Sequence, residues 1–293
     1  MKGNVKMIRL QMFFLLLCLS VAVAAEADEG AGGGVFPGEK TDIRGYDRYE
    51  FTVLAGRPKV MVICPKQAAV GKPWIWTPSF WATKVRQDSL ELTNIRNFKL
   101  VEQGFHWVIA GPNVLLGHPD GNAYLDMVYK EITNRCGLSK KPALVGLSRE
   151  GLGIYRWASA NPEKVGCICL DVPVCDFKSW PGGKGKGKGD PGQWALLLKN
   201  YGFKSDAEAM AYDKNPIDLL KPLADANVPL LHVCGDADRV VPYEENSAIV
   251  KSRYEEMGGK IEIILKKGAD HHQAGLEDPT PFINFIIKNA GNQ

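Results

Sequence analysis

Three short segments carry the side chains that could do chemistry. The first is Gly146-Leu147-Ser148-Arg149-Glu150-Gly151. It follows the apolar run 143–145 and precedes a helical pattern with Leu152, Tyr155, Ala158 and Ser159 at helical spacing. A serine on a sharp Gly-flanked turn between strand and helix exposes its hydroxyl at the carboxyl end of a sheet. The helix N-terminus aims N–H groups and partial positive charge at the same spot. This is a layout for nucleophilic attack on a carbonyl, with the oxyanion stabilised where it forms.

Such a serine needs a base, and the base an orienting acid. The second segment, 235–242, follows a predicted strand at 229–234 and offers Asp236 and Asp238. The third, 268–272, follows a predicted strand at 260–265 and ends in His271 and His272. The chain order of serine, acid and histidine suits acyl transfer on an α/β sheet, and both segments leave the carboxyl end of a strand. Asp238 is the preferred acid because it lies further into the loop that must reach a histidine; otherwise both aspartates cap a turn. His271 is the preferred base over His272, since adjacent loop residues point different ways. The Arg149 backbone N–H is the first oxyanion donor. A second is expected after the strand at 60–64, where Pro65 has no N–H and Lys66 or Gln67 follows.

These residues must be held by the elements between them. Strands are predicted at 49–54, 60–64, 105–110, 143–145, 165–172, 229–234 and 260–265, and helices at 90–103, 123–136, 244–257 and 279–288, with 65–80 a loop. Apolar strands alternating with helices imply an α/β fold, a mostly parallel central sheet with helices on both faces. Residues 176–223, after the strand that follows the elbow helix, read as a lid-like insertion. Within it, Trp180-Pro-Gly-Gly-Lys184-Gly-Lys186-Gly-Lys188-Gly is too permissive for helix or strand. It is either a solvated loop or a cationic arm over the pocket, with Lys186 as a substrate contact. Trp74, Trp76, Phe80 and Trp81 either cover the sheet edge or form a sugar-stacking wall at the pocket mouth, with Trp76 the candidate substrate contact.

The 293 residues, 45% of them hydrophobic, suffice for one large domain. Lys2, Lys6 and Arg9 precede an apolar run at 12–23 and the small-residue site Ala22-Val23-Ala24, the pattern of a secretory signal peptide over 1–25. A Gly-rich flexible leader at 26–45 and the catalytic domain at 46–293 follow. The three basic residues account for the whole net charge of +3, so the exported chain is neutral and nucleic acid is not an expected partner. No stable membrane insertion is expected after signal cleavage, and no cofactor or metal is expected. Cys64, Cys167, Cys169 and Cys234 lie in predicted strands and read as buried thiols, whereas export leaves Cys136 or Cys175 free to bridge.

On these motifs the chain resembles an α/β-hydrolase over 49–288. Its stretches 141–194 and 229–279 resemble a group of exported bacterial α/β-hydrolases of mostly unassigned substrate. The resemblance implies S-R-G-G at the elbow and a glycine before the first histidine, where this chain has Glu150 and Asp270. The elbow Gly146-x-Ser148-Arg149-x-Gly151 is also similar to that of glucuronoyl esterases, which implies that the Arg149 guanidinium helps to stabilise the oxyanion. Together these features point to a secreted or periplasmic serine hydrolase acting on a small-molecule or carbohydrate ester through an acyl-enzyme. The alternatives are an impaired α/β-hydrolase that only binds, with Glu150 opposing charge at the oxyanion site, and a peptidase of the prolyl-oligopeptidase type, for whose propeller the length leaves no room.

Overall fold

The computed structural model describes residues 36–78, 91–111 and 117–291. The signal-peptide reading of 1–25, and Phe80 and Trp81, lie outside the described residues.

The described strands form one sheet. β1 (Glu39–Ile43), β2 (Tyr46–Phe51) and β3 (Val60–Ile63) make an antiparallel flank. β4 (Trp74–Thr77), β5 (His106–Ile109), β6 (Ala143–Leu147), β7 (Cys167–Asp171), β8 (Leu230–Gly235) and β9 (Ile261–Lys266) run parallel. The spatial order is β1-β2-β3-β5-β4-β6-β7-β8-β9, with β3 antiparallel to β5.

Period-two alternation divides the strand side chains between two cores. Val62, Trp76, Leu144, Ile168, Leu170 and Leu230 face one side, where Tyr124 and Val128 of α2 (Asp120–Lys130), Ile154 and Trp157 of α3 (Glu150–Ala160), and Val250 and Tyr254 of α7 (Ser247–Glu256) cover them. Ile63, Val145, Cys169, Leu231 and Val233 face the other, under Phe98 and Val101 of α1 (Leu92–Glu102) and Phe282 and Ile286 of α8 (Thr280–Ala290). Because both faces are covered, β6 to β8 read as near-continuous apolar runs.

Two strands fall where sequence alone places none. β1 occupies the end of the expected flexible leader; its first four residues are exposed and only Ile43 is buried, so it carries little apolar signal. β4 falls in the expected loop 65–80 and is central, between β5 and β6. Trp74, Ile75 and Trp76 are fully buried there. The indole N–H of Trp74 donates to the Ser139 carbonyl at 2.8 Å and that of Trp76 to the Ala110 carbonyl at 3.0 Å. With these polar edges satisfied, tryptophan can fill an interior strand. Trp76 stacks on Trp74 and packs edge-on against Trp157, so it is a core residue and not a substrate contact at the pocket mouth.

Residues 172–229 join β7 to β8; they include the expected insertion 176–223 and carry α4 (Pro191–Tyr201), α5 (Asp206–Ala211) and α6 (Lys221–Asp225). The Asp190 carboxylate accepts the Gln193 N–H, Pro191 starts α4 and Gly202 ends it at φ 70°. Phe177, Trp194 and Leu197 give this region a core of its own. All six cysteines of the described residues are free thiols, Cys136 and Cys175 included. Burial pushes the Cys64 thiol up to about 12 and that of Cys136 up to about 11, which leaves them protonated and unreactive. Among the described residues no helix is long and apolar enough to cross a membrane.

Candidate active site

β6 ends at Leu147, opposite Asp171 at the end of β7. Ser148 then adopts φ +54°, a left-handed conformation that non-glycine residues seldom take. Backbone hydrogen bonds hold it there: the Ser148 N–H donates to the Asp171 carbonyl at 2.9 Å, and the Ser148 carbonyl accepts from Gly151 and Val174. Space explains the glycines on either side. A Cβ at Gly146 would lie 2.3 Å from the Ile154 side chain, and one at Gly151 would lie 2.7 Å from the Val174 carbonyl oxygen.

The two departures from the resemblance are accommodated. Neither Glu150 nor Asp270 has a positive φ. The Glu150 carboxylate folds back to accept the Leu147 N–H at 2.9 Å. As an acid in the first turn of α3 it also complements the helix dipole. Asp270 accepts the His272 N–H at 2.9 Å, so it shapes the turn that carries the histidines.

The three preferred side chains meet. The Ser148 hydroxyl lies 2.9 Å from His271 Nε2, and His271 Nδ1 lies 2.7 Å from Asp238 Oδ2. A carboxylate only accepts, so Nδ1 carries the proton and Nε2 is left to accept the hydroxyl proton of Ser148. Asp238 is itself fixed, since Oδ1 takes the Val240 and Val241 N–H groups at 2.9 and 2.8 Å. Its side chain is 1% exposed. Asp236 turns away and accepts the Gly268 N–H at 2.6 Å. His272 is exposed, with its ring edge-on to His271 at 6.0 Å. Ser148 and His271 open into a cavity of about 970 Å³ whose wall includes Leu147, Glu91, Lys267 and His272.

The remaining candidates fall elsewhere. Arg149 follows Ser148 as the N-cap of α3, which puts its N–H at the helix start. Its guanidinium is half-buried against the insertion and donates to Gln193 Oε1 at 3.2 Å. Burial lowers its pKa from the usual value, and the nearby Glu150 and Asp190 carboxylates oppose that shift. Lys66 follows β3, which runs against the parallel strands. The Ala69 N–H there donates to the Gly104 carbonyl just before β5 begins, and the Lys66 ammonium sits 5.8 Å from the Tyr46 ring. That loop therefore lies at the amino ends of the parallel strands, away from Ser148, and neither Lys66 nor Gln67 is an oxyanion donor. The carboxyl end of β4, beside β6, lies at the same end of the sheet as Ser148; residues 79–90 lie outside the described residues.

Lys186 is exposed and does not line the cavity. Its backbone N–H donates to the Glu245 carboxylate, and the Lys188 N–H donates to the Arg239 carbonyl at 3.2 Å. A Cβ at Gly187 would lie 3.0 Å from the Val240 carbonyl oxygen. The Gly-Lys run thus lies pinned against the loop that carries Asp238. Lys184 pairs with Asp206 at 2.5 Å.

Sequence reasoning missed Asp171 and Arg96. They form an ion pair with side chains 0% and 4% exposed, and Asp171 Oδ1 accepts the Gly275 N–H at 3.2 Å. The signal for Asp171 is a charge closing an otherwise apolar strand; nothing in the sequence pairs it with Arg96 on α1.

Comparison with known proteins agrees with the topology. No family model matches the chain, and no curated protein matches it. Solved structures do. A puromycin-hydrolyzing peptidase of Mycobacterium tuberculosis superposes with a TM-score of 0.65 at 13% identity, over 85% of this chain and 40% of that one. The fold is the α/β-hydrolase fold. Dipeptidyl peptidase 4 of Porphyromonas gingivalis matches with a TM-score of 0.62 at 12% identity, over 83% of this chain and 36% of that one. Acylaminoacyl peptidase of Pyrococcus horikoshii matches with a TM-score of 0.59 at 11% identity, over 85% and 42%. This chain thus spans well under half the length of these similar α/β-hydrolase-fold proteins. They are peptidases and not glucuronoyl esterases, so the likeness suggested by the elbow finds no support in them.

Proposed function

We propose that the chain is a serine hydrolase of the peptidase type, cleaving the acyl bond of a small peptide or aminoacyl substrate through an acyl-enzyme. One observation carries the reading: the continuous hydrogen-bonded series from Ser148 through His271 to Asp238. Ser148 Oγ attacks the carbonyl carbon while His271 Nε2 takes its proton. Asp238 holds the ring and stabilises the imidazolium that forms. The Arg149 N–H, at the start of α3, faces the oxyanion. His271 then protonates the leaving amine or alcohol, and water repeats the cycle on the acyl-enzyme.

The choice of peptide over sugar ester rests on the peptidases that share the fold. It rests also on the loss of two supports for a carbohydrate ester. Trp76 is sealed in the sheet, and the Arg149 guanidinium is turned to α4. Export remains part of the proposal, on the pattern of residues 1–25. The test is a substrate panel: aminoacyl and dipeptidyl amides, puromycin among them, against acetylated and feruloylated sugars. Turnover of the amides, lost by more than about 10³-fold in Ser148→Ala, is the expected result. Turnover of sugar esters alone would return the assignment to a carbohydrate esterase.

A further inference from the structure

The His271 segment leaves β9 and must hold its imidazole within hydrogen-bond reach of Ser148. Its near end is tied to the acid loop: the Gly268 N–H donates to Asp236 Oδ1 at 2.6 Å, and the Ala237 N–H to the Ala269 carbonyl at 3.1 Å. Its far end is tied at Gly275. There the N–H donates to Asp171 Oδ1 at 3.2 Å, and the carbonyl accepts from the Lys266 ammonium at 2.7 Å. Gly275 has φ +83°, and a Cβ on it would lie 2.8 Å from the Leu92 side chain at the start of α1.

Asp171 also serves the nucleophile, because its carbonyl accepts the Ser148 N–H at 2.9 Å. One fully buried residue thus grips the elbow by its backbone and the histidine segment by its side chain. Its second carboxylate oxygen is held by Arg96, whose guanidinium lies 3.8 Å above the Phe282 ring. A buried pair of this kind adds little net stability over apolar side chains of similar size, so stability is a weak reason for its presence. We propose that Asp171 is a positioning residue for His271, acting through the Gly275 amide, and that Arg96 is the partner its buried carboxylate requires. The catalytic part of this inference rests on the proposed hydrolase reading; the anchoring part does not.

Removing Asp171 alone would strand the Arg96 charge and threaten folding, so the pair is replaced together. Arg96→Met/Asp171→Asn keeps an oxygen acceptor for the Gly275 N–H, whereas Arg96→Met/Asp171→Leu removes it. Thermal melts first establish that both variants fold. Hydrogen exchange of residues 270–275 and the split between kcat and KM on the best substrate are then measured. In the leucine variant the Gly275 amide should exchange at least about tenfold faster, and kcat should fall at least about tenfold with KM changed less than about threefold. The asparagine variant should stay within about threefold of wild type in both. Unchanged exchange at Gly275 in the leucine variant, or equal loss in both variants, would overturn the proposal. A wild-type protein that turns over no substrate would sink the hydrolase reading alone, and the exchange comparison would still decide the anchoring.

Discussion

Ser148 holds its left-handed backbone because its N–H and carbonyl are both occupied by neighbouring chain, and because Gly146 and Gly151 let helix and strand approach closely. Around it each polar side chain has a distinct task. Asp238 takes two backbone N–H groups with one oxygen and His271 with the other, which fixes the imidazole tautomer. Glu150 stands where glycine is expected, yet its carboxylate is bonded to the Leu147 N–H at the first turn of α3. That argues for a part of the elbow's scaffold and not for a charge that disables the site. Glu150→Ala should therefore destabilise the fold by about 1–2 kcal/mol, the worth of a hydrogen bond to a charged group plus a helix-dipole contact. Urea unfolding would check it; an unchanged midpoint together with a large gain in turnover would instead mark Glu150 as an inhibitory charge.

At the scale of elements, what was legible follows from burial. β6, β7 and β8 are buried almost throughout, and their apolar runs announce them between helices of clear period. The acid and histidine loops could be placed because they follow such strands. Asp238 is preferred to Asp236 because it lies further into the loop, and of the adjacent His271 and His272 only one can face the serine; the structure brings Asp238 and His271 together with Ser148. β1 was hidden because an edge strand exposed on four of five residues has no apolar pattern. β4 was hidden because Trp-Ile-Trp after Pro73 is short and aromatic, and sequence does not show that its indole N–H groups find carbonyls across the sheet. With β4 illegible, the sequence points to an oxyanion loop after β3, at the other end of the sheet, and leaves Trp76 at either a sheet edge or the pocket mouth. The Gly-Lys run is neither helix nor strand, as its composition predicts, but its anchoring by Glu245 and Arg239 joins positions far apart in sequence. The Asp171–Arg96 pair was illegible for the same reason.

For the molecule as a whole, two buried histidines tie stability to pH. Burial lowers His106 from its ordinary value of 6.5 to about 4 and His232 to about 3. His232 is fully enclosed, between the Tyr155 hydroxyl at 2.8 Å and that of Ser247 at 2.9 Å. Both are neutral in the folded state and take up protons more readily when unfolded. Their contribution is complete above about pH 6.5 and is lost as pH falls toward 4 and 3, since in that window the unfolded chain binds more protons. The melting temperature should accordingly drop between pH 6.5 and 4, and His106→Phe should flatten the drop; equal slopes in both proteins would contradict the assignment. The central claim is that the fold delivers an activated serine, and fluorophosphonate labelling read by peptide mass tests it most directly. The account predicts a covalent adduct on Ser148, absent from Ser148→Ala and slowed at least about a hundredfold in His271→Ala. A folded protein that takes no label, or takes it at another residue, would contradict it.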